Sequence, residues 1–198
     1  MKVVGISGSP RKGKSTFYAL ETCLQAAKEA VSGIETILVE LSEMKINGCI
    51  ACGKCMKVLE CSQEDDFVKM IPILSDSELA ALVIATPVYF GSMTSQCKAF
   101  LDRCVMFRRN GFLLRNKVGG VIAVGGVRNG GQELAIQAVQ AAMLVQDMVV
   151  VSEGRPTSHY GATLWSGHPD GIEKDAFGLE TARNLGKRVA EVAGRMHR

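Results

Sequence analysis

Residues 79–92 read LAALVIATPVYFGS, and this stretch decides the fold. Leu79–Ala85 is an unbroken apolar run. A strand with one wet face alternates polar and apolar residues, so a continuous run marks a strand buried on both faces. Strands of that kind belong to parallel sheets with helices packed on either side. The run stops at Thr86-Pro87, and Pro87–Gly91 reads as a loop leaving the carboxyl end of the strand.

The same alternation of elements extends outward in both directions. Val3–Ile6 reads as a first strand, followed by GSPRKGKST and a helix over residues 15–32 with Phe17, Leu20, Leu24, Ala27 and Val31 on one stripe. Ile34–Leu41 reads as the second strand. Asp65-Asp66 reads as the cap of a short helix, Phe67–Leu74. After the central run come a helix from about Thr94 to Phe107, a strand at Lys117–Gly125, a helix from about Gln132 to Gln146 and a fifth strand at Met148–Ser152. Residues 153–173 show no periodic pattern, and a last helix spans about Lys174–Met196. This order predicts an α/β, doubly wound five-stranded parallel sheet in the flavodoxin-like order 2-1-3-4-5, with a cysteine loop inserted after strand 2.

Length and composition narrow the function classes. At 198 residues the chain reads as a single domain, 1–198, with a cysteine-rich loop at 47–65. Lys and Arg number 23 against 20 Asp and Glu, a balance of +3 that gives no ground for a nucleic-acid partner. No apolar stretch has transmembrane length, and MKVVGISGSP lacks a cleavage pattern. The expectation is a cytoplasmic protein without a membrane partner, whose seven cysteines stay reduced.

Ligands of such sheets bind outside the carboxyl ends of the strands. Three loops there carry suitable chemistry. Gly8–Ser15 matches the nucleotide-binding pattern G-x-x-x-x-G-K-[ST] and opens a helix, whose unpaired N–H groups attract a phosphate. Ser9, Ser15 and Thr16 add hydroxyls, and Arg11 and Lys14 add charge. A P-loop nucleotide-binding protein would need an acidic residue for magnesium at a strand end, and neither Thr86-Pro87 nor Gly125-Gly126 supplies one. Pro87, Val88, Tyr89, Phe90 and Gly91 suit a flat heterocycle, and Gly126, Gly130 and Gly131 let backbone approach its edge. One phosphate site beside one flat-ring site suits FMN. Arg128, in the same loop, reads either as a charge beside the ring or as a solvated arginine. Asp102 and Arg103 read as surface polar residues, and His159, His168 and His197 are too scattered for a catalytic role.

The inserted loop holds Cys49, Cys52, Cys55 and Cys61 in CIACGKCMKVLEC. The C-x2-C-x2-C run is the spacing of bacterial ferredoxins, which bind [4Fe–4S] clusters. Zinc, a disulfide framework or four unligated thiols are the alternatives left open by spacing alone. Cys23, Cys97 and Cys104 fall on apolar helix faces and read as core residues.

Taken together, GSPRKGKST, the cysteine motif followed by Asp65-Asp66-Phe67, TPVYFGSM, KAFLDR at Lys98–Arg103 and GGVRNGGQE resemble the iron–sulfur flavoproteins. These are a branch of the NADPH-dependent FMN reductase group. The resemblance implies an electron-transfer oxidoreductase with FMN and a [4Fe–4S] cluster. It places the FMN phosphate on Ser9, Arg11, Ser15 and Thr16, the ribityl chain and ring along Pro87–Gly91 and Gly126–Gly131, and the cluster on the four loop cysteines. It also implies a homo-oligomer, dimer or tetramer, in which cluster and flavin of adjacent subunits approach each other. Ferredoxin and NAD(P)H are the candidate electron donors. The alternative is an NAD(P)H-dependent FMN or quinone reductase without a working cluster.

Overall fold

Six parallel strands form one sheet at the centre of a computed structural model that describes residues 1–196. His197, set aside above with the other histidines, lies outside the described residues. The strands are β1 Lys2–Ser7, β2 Glu35–Glu40, β3 Leu79–Pro87, β4 Val118–Gly125, β5 Val149–Val150 and β6 Ala162–Trp165. Their order is β2-β1-β3-β4-β5, with β6 also on β4. Every residue of β3 and β4 is buried, as the continuous apolar run at 79–85 requires.

Six helices cover the sheet: α1 Ser15–Ala30, α2 Met70–Leu74, α3 Ser95–Arg103, α4 Val105–Arg109, α5 Gln132–Val145 and α6 Ala176–Met196. Alternation along β1 sorts the two faces. Val3 packs among Leu20, Leu24, Leu185 and Val189, the side of α1 and α6. Val4 and Ile6 pack with Phe67, Phe100, Phe107 and Ile136, the side of α2 to α5.

The structure departs from the sequence reading at the last sheet position. The fifth strand, expected over Met148–Ser152, is reduced to β5, which pairs only with Val118 and Gly119. The chain leaves the sheet and returns as β6, which pairs with Ile122–Gly125 further along β4. One sheet position is thus shared by two short strands, and the second lies inside 153–173. Its signal is four residues long: Ala162 and Leu164 are buried, and Thr163 and Trp165 are half-buried. Gly154, Pro156 and Gly161 on its approach mask it in sequence.

The helix expected over 94–107 is broken at Cys104 into α3 and α4. The Cys104 N–H is shared between the carbonyls of Phe100 and Leu101, both at 3.1 Å. Its carbonyl accepts from Gln146 Nε2 at 2.9 Å, so the side chain of Gln146 serves the break from the end of α5. The short helix after the cysteine loop begins as a tight turn, Asp66–Lys69, capped by Asp65 on the Phe67 N–H.

Candidate functional site

The carboxyl ends of β1, β3 and β4 bring the three predicted loops together. Thr94, just before α3, accepts from the Cys97 N–H and donates to the Gly8 carbonyl, tying the second loop to the first. The Val88 N–H donates to the Val124 carbonyl at 2.9 Å. Gly131 sits at φ +92 with the backbone of Gly91 against it; a Cβ there would lie 3.3 Å from Gly91 Cα. Glycine is required at that contact by both conformation and space.

In the first loop, Lys14 is the residue preceding α1 in extended conformation, and no side chain caps the helix. The first N–H groups of α1 are therefore available to an anion. Ser9 and Thr16 are buried, Ser15 is half-buried, and Arg11 and Lys14 are exposed and make no ion pair among the described residues. Ser9 Oγ accepts from the Arg11 N–H at 3.1 Å. Lys12 is drawn aside by Glu43 at 2.8 Å, and Glu40 accepts from the Gly13 N–H at 2.9 Å. Ser7 ends β1 on the α1 side, and its buried hydroxyl has no partner among the described residues.

The second loop turns at Tyr89-Phe90-Gly91-Ser92, whose outer residues exchange N–H bonds at 2.9 and 3.1 Å. Phe90 at φ +49 and Gly91 at φ +73 occupy the left-handed region. Pro87 is buried and Val88 half-buried, whereas the Phe90 side chain stands wholly in solvent. In the third loop Gln132, which sequence reasoning did not single out, is buried. It accepts from the Gly130 N–H at 2.8 Å and donates to the Val127 carbonyl at 2.7 Å. A glutamine directly after the glycine pair Gly130-Gly131 was its only signal. Gly126 accepts from Trp165 Nε1 at 3.0 Å. Arg128 is neither a free charge nor merely solvated: Asp175 takes its guanidinium at 2.5 Å, and it lies 5.4 Å from the centre of the Trp165 ring.

A second centre lies on the cysteine loop. Cys49, Cys52, Cys55 and Cys61 line one pocket, walled by Arg103, Val105, Met106 and Arg109. Ala51 at φ +53 and Gly53 at φ +80 make the two turns that bring successive cysteines round. Ser62 Oγ donates to Cys52 Sγ at 2.9 Å and Arg109 donates to Cys55 Sγ at 3.3 Å. The Ser62 hydroxyl, helped by backbone N–H groups, lowers the Cys52 thiol. By contrast, burial pushes the Cys23 and Cys97 thiols up to about 12 and raises Cys104 as well. These three are core residues, as expected from their helix faces. Among the described residues no three His, Cys, Asp or Glu groups stand close enough to hold a single metal ion.

The loop is closed at its base, close to the predicted limits of 47 and 65. Asp65 accepts from the Asn47 N–H at 2.9 Å, Asp66 from the Lys45 N–H at 2.7 Å, and Gln63 donates to the Gly48 carbonyl at 2.9 Å. Arg103, expected on the surface, is buried with Asp65. Asp102 does lie on the surface, paired with Lys98 at 2.6 Å.

The comparisons with known proteins show the family. The family described as NADPH-dependent FMN reductase matches residues 1–163. An iron-sulfur flavoprotein of Methanocaldococcus jannaschii is 43% identical over 192 residues, 97% of each chain. One from Methanosarcina thermophila is 38% identical over 192 residues, covering 97% of this chain and 95% of its own.

The chain belongs to the iron–sulfur flavoprotein branch of the FMN reductase family.

It is therefore an oxidoreductase, and the P-loop pattern at Gly8–Ser15 lies within the flavoprotein match. Solved structures agree on the iron–sulfur flavoprotein's fold. RosB, solved with 8-demethyl-8-formylriboflavin-5'-phosphate, aligns with a TM-score of 0.74 at 17% identity over 100% of this chain and 80% of its own. A WrbA-like flavodoxin from Agrobacterium tumefaciens gives 0.67 at 20% identity over 98% and 97%. At these identities the likeness is one of fold.

Proposed function

We propose that this iron–sulfur flavoprotein transfers electrons between FMN, held at the three loops, and a [4Fe–4S] cluster held by Cys49, Cys52, Cys55 and Cys61. FMN takes electrons in pairs and releases them singly, and a [4Fe–4S] cluster carries one at a time.

The residues fit both groups. For FMN, the uncapped start of α1, the unpartnered Ser7 hydroxyl and the charges of Arg11 and Lys14 suit its phosphate. Ser9, Ser15 and Thr16 would add hydroxyl bonds, Pro87, Val88, Tyr89 and Gly91 would line the ribityl chain and ring, and Gly126, Gly130 and Gly131 would face its polar edge. With Phe90 in solvent, the ring would meet the backbone of this turn and not that side chain. Asp175 neutralises Arg128, so the loop would meet the ring chiefly with backbone N–H groups.

The observation that carries the reading is the pocket framed by all four cysteines of one short loop. The four thiols line a common pocket, which suits a cluster bonded on four sides. Arg109 on its wall would offset part of the negative charge of four thiolates.

Homo-oligomerisation is part of the proposal. Tyr89, Phe90 and Val127 are exposed on the loops of the flavin end. Apolar groups gathered in this way are characteristic of an interaction surface. The family description names NADPH as donor; ferredoxin is the alternative donor. No described helix is long and apolar enough to cross a membrane.

An anaerobic preparation assayed for flavin, iron, acid-labile sulfide and zinc tests the reading. FMN with iron and sulfide in equal amounts, about four of each per chain, is expected. FMN alone, or FMN with zinc, would reduce the protein to a flavin reductase with a structural loop.

A further inference from the structure

Arg103 is the best-buried charge near the cysteine pocket, and its bonds run to both ends of the loop. Its side chain and that of Asp65 are each 2% exposed. Nη1 and Nη2 fork onto the Asp65 carboxylate at 2.8 and 3.0 Å, and Nη1 also donates to the Asn47 carbonyl at 3.0 Å. Asp65 in turn accepts from the N–H groups of Asn47 and Phe67. One guanidinium therefore joins residue 47, residue 65 and α3. The Phe67 ring packs 4.7 Å from its centre.

The remaining atom is the informative one. Arg103 Nε is buried with no partner among the described residues. A buried N–H left unpaired is uncommon and calls for an acceptor. Arg103 lines the cysteine pocket, so an acceptor placed there is within its surroundings.

We infer that Arg103 is a positioning residue that locks both ends of the cysteine loop onto α3 and donates its Nε–H to sulfur in the cysteine pocket, raising the reduction potential of the cluster. The inference rests on the cluster reading proposed above. Hydrogen bonds to sulfur stabilise the extra negative charge of the reduced cluster, which sets the direction. Lysine keeps the charge at this site and loses the fork and the Nε–H together.

The test uses Arg103→Lys and the double variant Asp65→Asn/Arg103→Met, which removes both charges so that no unpaired ion is left buried. FMN content reports folding. Midpoint potentials of cluster and FMN are measured separately, and hydrogen exchange of residues 47–65 is followed in iron-free protein. Both variants are expected to keep FMN and its potential. In both, the cluster potential moves negative, and the Asn47 amide exchanges at least tenfold faster. A cluster potential unchanged in FMN-replete Arg103→Lys overturns the donor role, and unchanged exchange in the double variant overturns the locking role. If wild type holds FMN but no iron or sulfide, the cluster reading falls and the donor role with it, while exchange in the iron-free protein still decides the lock.

Discussion

Thr94 Oγ1 donates to the carbonyl of Gly8 at 2.6 Å while accepting from the Cys97 N–H at 3.1 Å. One buried hydroxyl thus caps α3 and pins the start of the phosphate loop, 86 residues earlier. Losing such a cap costs about 0.5–2 kcal/mol. Thr94→Ala should lower the melting temperature and weaken FMN binding, because the Gly8 carbonyl loses its anchor. Thr94→Ser, which keeps the hydroxyl, should restore most of both. Unchanged FMN affinity in Thr94→Ala would separate the cap from the cofactor site.

Arg11 tests the phosphate assignment directly. A hydrogen bond to a charged group is typically worth about 1.5–3 kcal/mol. Arg11→Ala should weaken FMN by that amount in a fluorescence titration. Riboflavin, lacking the phosphate, should bind wild type more weakly and be nearly indifferent to the substitution. Equal losses for both ligands would move Arg11 away from the phosphate.

The seven cysteines should divide cleanly. Replacing Cys49, Cys52, Cys55 or Cys61 by Ser should remove or cripple iron binding while FMN stays bound. Replacing the buried Cys23, Cys97 or Cys104 by Ala should leave iron near normal and lower stability through lost packing. Iron analysis with melting curves distinguishes the two groups. Iron lost from Cys97→Ala but kept in Cys61→Ser would reverse the ligand assignment.

Acid should loosen the cysteine loop through Asp65. Burial tends to raise its carboxyl, but the Arg103 fork and the N–H groups of Asn47 and Phe67 hold it below the ordinary 3.8. A group depressed on folding contributes stability that is complete above its unfolded value and is lost as pH falls through its folded one. The contribution should therefore be full above about pH 4 and fade at lower pH. In iron-free protein, wild type should lose stability more steeply there than Asp65→Asn/Arg103→Met. Parallel curves would mean that Asp65 does not titrate with folding.

Phe90 should reveal the subunit contact. A phenylalanine fully in solvent at φ +49 is unfavourable for a lone chain in both exposure and backbone conformation. Phe90→Gly relieves the backbone and should leave the monomer equally or more stable. If the side chain inserts into a neighbour, the same substitution should weaken self-association in sedimentation. Mixing Cys52→Ser with Arg11→Ala subunits should then recover electron transfer if cluster and flavin of different chains cooperate.

The apolar run Leu79–Ala85 was sufficient to predict a parallel sheet, because a strand buried on both faces leaves no polar alternation and demands helices on each side, and the alternation of strands with helices predicted its order. The position of each loop at a strand's carboxyl end followed from chain order. So did the cap at Asp65, whose chemistry is written in neighbouring residues. What sequence could not show depends on partners far along the chain. Arg103 has the composition of a surface residue and becomes buried only because folding brings Asp65, 38 residues away, against it. Gln146 is needed only where α3 breaks, and Arg128 is neutralised only by Asp175, 47 residues on. The four-residue strand β6 is likewise too short for its own periodicity and exists because β4 offers it an edge. Periodic burial is a local property that a chain carries in its order of residues, whereas the pairing of a buried charge is decided by whichever distant group the finished fold places beside it.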